Sequence, residues 1–69
     1  MNYIIIEMQT SEGKTSILTY QKSDWFEALS VYFSKLSYAA LSKVDVHSVV
    51  LLSDEGDEIM HYCCDHRAK

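Results

Sequence analysis

Residues 23–43 read SDWFEALSVYFSKLSYAALSK, and the fold turns on this stretch. Trp25, Leu29, Tyr32, Phe33, Leu36 and Ala40 are spaced by 4, 3, 1, 3 and 4 residues. A 3.6-residue repeat brings such positions onto one face, so the spacing predicts an amphipathic helix. Asp24 followed by Glu27 gives a start resembling a capping box, with Ser23 as the alternative cap. The helix is expected over 24–42. Phe26, Ala28, Val31, Tyr38, Ala39 and Leu41 widen its apolar zone, while Ser30, Ser34 and Ser37 mark the polar side.

On either side of this helix lie β-branched runs interrupted by Glu-Gly. YIIIEMQ leads into Ser11, Glu12 and Gly13; VDVHSVVLL leads into Asp54, Glu55 and Gly56. Two polar residues before a glycine suit a three-residue hairpin loop, with the glycine in the left-handed region. Hairpins are therefore expected over 2–21 and 44–64, followed by a tail over 65–69. The order ββαββ implies an α+β fold: a four-stranded antiparallel sheet with one helix packed on one face. A right-handed crossover between the second and third strands gives the strand order 2-1-3-4. The chain, 1–69, is read as one small domain.

Loop length sets the register, and the register sets the faces. Three-residue loops pair Thr10 with Lys14 and Ser53 with Asp57. The helix side then receives Ile4, Ile6, Met8, Leu18 and Tyr20, with Val46, Val50, Leu52, Met60, Tyr62 and Cys64. The opposite face receives Tyr3, Ile5, Glu7, Ile17, Thr19, His47, Val49, Leu51, Ile59, His61 and Cys63. A sheet with one face in water should alternate apolar and polar residues, and this one does not. Tyr3, Ile5, Ile17, Val49, Leu51 and Ile59 are accordingly the expected interface residues. Glu7, an acid on that apolar face, is expected to seek Thr19, His47 or His61.

Composition narrows the function. Sixty-nine residues, 48% hydrophobic and 23% charged, with no proline and two glycines, suit a folded domain. A chain this short buries about 60% of its unfolded surface, so disulfides, a metal or a partner chain are the usual sources of added stability. The net charge is −4, and the six basic residues are scattered, which argues against nucleic-acid binding. The N-terminal apolar run is too short for a membrane span and has no basic lead, so no membrane association is expected. The two cysteines, Cys63 and Cys64, are adjacent. On a strand they point to opposite faces and pair poorly with each other, which favours a reducing, cytoplasmic setting.

One segment is rich in metal-binding types: HYCCDH, residues 61–66. His47, His61 and Cys63 are the candidates to converge on an ion, with His66, Asp65 or a residue of a second copy as a fourth ligand. The spacing lacks the C-x-x-C knuckle of structural zinc sites, and buried cysteine commonly serves as a small hydrophobe. No metal or other cofactor is expected. The acidic turn at Asp54–Glu58 lacks the ligand spacing of a calcium loop. No glycine-rich loop, nucleophile elbow or cleft is predicted, so no catalysis is expected. The resulting reading is an acidic, non-catalytic protein-interaction module that homodimerises through its helix-free sheet face. Another protein is the alternative partner. Two further readings are a metal-binding or redox module using His47, His61 and Cys63, and an acidic inhibitor covering the basic surface of a nucleic-acid-binding protein.

Overall fold

The computed structural model describes residues 1–67. In chain order its elements are β1 (Tyr3–Ser11), β2 (Lys14–Lys22), α1 (Trp25–Leu41), β3 (Val46–Ser53) and β4 (Glu58–Asp65). The strands form one antiparallel sheet in the order β2-β1-β3-β4, with α1 against one face. This is the ββαββ arrangement and strand order expected from the sequence.

The helix begins where its cap dictates. Asp24 is extended, and its carboxylate accepts the Glu27 amide at 2.9 Å, satisfying one of the free donors of the first turn. It ends at Ser42, whose amide donates to the Ala39 carbonyl at 3.3 Å. Among the described residues, no helix is long and apolar enough to cross a membrane.

The second hairpin closes as predicted. Gly56 N–H donates to the Ser53 carbonyl at 3.0 Å, Ser53 N–H donates to the Asp57 carbonyl at 2.8 Å, and Gly56 has φ +88°. A bulge next to Leu51 and Leu52 then inserts one residue into β4, so Met60 faces Leu51 and not Val50. The first hairpin differs at the turn itself. Ser11 pairs with Lys14 around a two-residue loop in which Glu12 and Gly13 take φ +53° and +78°. Positive φ at both central positions makes this a type I′ turn, whose twist matches that of the strands. The Glu12 amide, 3.2 Å from Asp45 Oδ2, helps hold that conformation.

Each hairpin is thus shifted by one residue from its expected register. The outer strands keep their expected faces: Tyr20 of β2 and Met60 and Cys64 of β4 pack with the core under α1. The two central strands are inverted. Tyr3, Ile5 and Glu7 of β1, with His47, Val49 and Leu51 of β3, lie on the helix side. Ile4, Ile6 and Met8, with Val46, Val50 and Leu52, occupy the other face. A period of two makes this the necessary result of a one-residue slip.

Ile5, Val49 and Leu51 are fully buried against Ala28, Ala39 and Tyr32. The two alanines let the helix approach the sheet closely. This rotates the buried stripe away from Phe33, which is 54% exposed and meets only the edge of the Tyr32 ring at 5.3 Å. Trp25 closes one end of the core on Tyr3, ring centroids 5.2 Å apart. The expected tail also starts later, since β4 includes Asp65 and the His66 amide donates to the Asp45 carbonyl at 2.8 Å. Residues 68 and 69 of that tail lie outside the described residues.

Candidate functional site

Among the described residues nothing covers the helix-free face, yet its centre is apolar. β1 contributes Ile4, Ile6 and Met8; β2 contributes Ile17; β3 contributes Val46, Val50 and Leu52. Ile6 and Val50 face each other on the two central strands. Thr19 and Ser48 lie among them, and His61 and Cys63 of β4 form one border. No charged side chain occupies the part built by β1, β2 and β3 between Ile4 and Met8. The acids Asp54, Glu55, Asp57 and Glu58 sit exposed at the β3–β4 turn, away from that centre.

The six residues expected at an interface divide accordingly. Ile17 does lie on the helix-free face, 59% exposed. Ile5, Val49 and Leu51 do not: they are core residues beneath α1. Tyr3 packs on Trp25 on the helix side. Ile59 sits in the β4 bulge, opposite neither Leu51 nor Leu52. The apolar face was legible in the sequence, but its central residues are the neighbours of those expected.

A second polar feature lies on the helix side. Glu7 and His47 are 5% and 3% exposed, and His47 Nε2 is 2.8 Å from Glu7 Oε2. The carboxylate accepts, so Nε2 carries the proton of this bond. The other ring nitrogen, Nδ1, is buried with no partner among the described residues. Tyr20 OH donates to the second carboxylate oxygen over a long 3.4 Å. Lys35 of α1 brings its ammonium to 4.7 Å from the centre of the Tyr20 ring. Tyr20 beside it, and more weakly Glu7, hold that ammonium above its ordinary pKa. The sequence pointed to His47 as one partner for Glu7 but placed both on the opposite face. Tyr20 and Lys35 were not associated with them, because no spacing rule links a strand, a hairpin partner and a helix.

HYCCDH is dispersed by the sheet. His47 lies under the helix, opposite Cys64, whereas His61 and Cys63 belong to the other face. His61 Nδ1 contacts the exposed Glu58 carboxylate at 3.1 Å. His66 Nε2 donates to the Ala39 carbonyl at 3.0 Å and so closes the last turn of α1. Asp65 accepts three hydrogen bonds from Arg67, which hold its carboxyl well below the usual carboxylate range. With Ala40, residues 62–66 line a shallow surface depression of about 450 Å³. Among the described residues, no three His, Cys, Asp or Glu side chains are grouped to hold a metal ion.

Compared with protein-family models, with curated proteins and with solved structures, the chain matches none.

Proposed function

We propose that this protein is a small interaction module that homodimerises by packing two helix-free sheet faces together. One observation carries the reading: the uncovered face has Ile6 and Val50 at its centre, flanked by Ile4, Met8, Val46 and Leu52. An apolar patch of this extent marks an interaction site more often than a bare surface.

Size and charge favour a second copy as the occupant. Four strands about 4.8 Å apart, each about eight residues long, span roughly 500 Å² in projection. Two such faces give roughly 1,000 Å² before their corrugation is counted, close to the lower bound for specific interfaces. The chain carries −4, but its acids lie outside the patch centre, so self-pairing brings no like charges together there. Pairing one patch with itself is also the commonest route to a closed oligomer. Dimerisation adds a second core on the far side of the sheet from the one under α1, which a 69-residue chain does not build alone.

Sedimentation velocity on the untagged protein tests this. A dimer is expected, and Ile6→Asp and Val50→Asp should each sediment as monomers with an unchanged far-ultraviolet circular dichroism spectrum. A monomeric parent, or folded variants that remain dimeric, would remove the helix-free face as the interface.

A further inference from the structure

The two edges of the sheet differ. Both edge strands end in charged residues, Glu58 and Asp65 on β4 and Lys14 and Lys22 on β2, but β4 is also blunted by a bulge that breaks its register. Bulges and charges are the usual devices that keep an edge from pairing with another chain. β2 has neither device along its middle. It pairs with β1 through nine consecutive positions without a bulge, and the seven residues between Lys14 and Lys22 are uncharged. Its Ile17 and Leu18 are 59% and 51% exposed, on opposite faces of the strand.

From this edge we infer that β2 pairs antiparallel with β2 of a second copy, in a register centred on Ile17. Backbone geometry comes first. In the Ser11–Lys14 turn the Lys14 amide points to β1, so alternate residues Ser16, Leu18 and Tyr20 also turn their amides inward. Thr15, Ile17 and Thr19 turn theirs outward. A two-fold axis at Ile17 sets Ile17 against Ile17 and Thr15 against Thr19, and those outward groups then bond across the axis.

Charge selects this register over its neighbour. Centring on Leu18 would align all nine residues, but it would set Lys14 directly opposite Lys22 at both ends. Like charges directly opposite across an antiparallel pair are destabilising. Centring on Ile17 sets Lys14 opposite Tyr20 and brings Lys22 to the turn residue Glu12 of the other copy. The flanking lysines thus reject one register and hold the other. The Ile17 pair also lies on the helix-free face, so the edge contact makes the two apolar faces continuous. Edge pairing buries little apolar surface, so it joins copies at higher concentration than face pairing does.

Hydrogen exchange read amide by amide at increasing concentration of the full chain tests the inference. Protection at Thr15, Ile17 and Thr19 should rise with concentration. It should vanish in Glu12→Lys and return in the charge-exchanged variant Glu12→Lys/Lys22→Glu. The amides of Ser16 and Leu18, bonded to β1, report folding and should stay protected in all three proteins. Concentration-independent exchange at the outward amides overturns the proposal, as does protection that survives Glu12→Lys. Face pairing is separable: Ile6→Asp abolishes it without touching the β2 amides, so either contact can fail alone.

Discussion

Removing Glu7 or His47 singly should cost far more than removing both. The pair is almost entirely excluded from water and joined at 2.8 Å. In Glu7→Leu the His47 ring keeps its buried Nε2–H but loses the acceptor, and Nδ1 has no partner among the described residues. In His47→Leu the Glu7 carboxylate keeps, among the described residues, the Tyr20 hydroxyl at 3.4 Å. Breaking a buried pair from one side costs about 3–5 kcal/mol. A 69-residue domain has roughly 3–10 kcal/mol in total, so each single variant should lie near the edge of unfolding. Replacing both by leucine removes the desolvation penalty as well as the bond. Such replacements are commonly neutral or stabilising by about 1–4 kcal/mol. Urea titration followed by Trp25 fluorescence, at one fixed protein concentration, gives all four corners of the cycle. The double variant should be more stable than either single one, with a coupling energy of at least about 2 kcal/mol. Additive losses, or single variants within about 1 kcal/mol of the parent, would refute the view that the two side chains stabilise only as a pair.

Two further outcomes follow from backbone conformation and from burial. Glu12 holds φ +53°, so Glu12→Gly should stabilise the fold by about 1 kcal/mol, read as a raised urea midpoint with unchanged slope. Burial, and secondarily Glu58, keep the Tyr32 phenol neutral above its ordinary pKa of 10.0. The folded state therefore binds more protons than the unfolded state above that pH, and stability falls as pH rises through the folded value. Tyr32→Phe should flatten that alkaline slope in thermal melts, leaving the part due to Lys35, whose pKa is raised in the same direction.

What could be read in advance depended on how local the signal was. The helix limits came from Asp24 and the Trp25-to-Ala40 spacing, both of which act within a few residues of chain. The Asp54–Gly56 loop followed in the same way from its glycine. The inversion of β1 and β3 did not. It rests on Glu12 accepting a left-handed conformation and on one extra residue in β4. Apolar side chains stand on both faces of YIIIEM and SVVLL, so the hydrophobic pattern offered no correction. An apolar surface free of the helix was expected under either register, because both sets of alternate positions are rich in isoleucine, leucine and valine. The signal that distinguishes them is Glu7. An acid in so apolar a strand needs a buried partner, and His47 meets that need only where both lie under the helix.

The most direct measurement is an isotope-filtered nuclear Overhauser experiment on a mixture of labelled and unlabelled copies, which records contacts between chains alone. Face-to-face dimerisation predicts intermolecular contacts among the side chains of Ile6, Met8, Val50 and Leu52, with none from Phe26 or Leu41 on the outer side of the helix. Intermolecular contacts confined to the helix, or none at concentrations where the protein is otherwise associated, would contradict it.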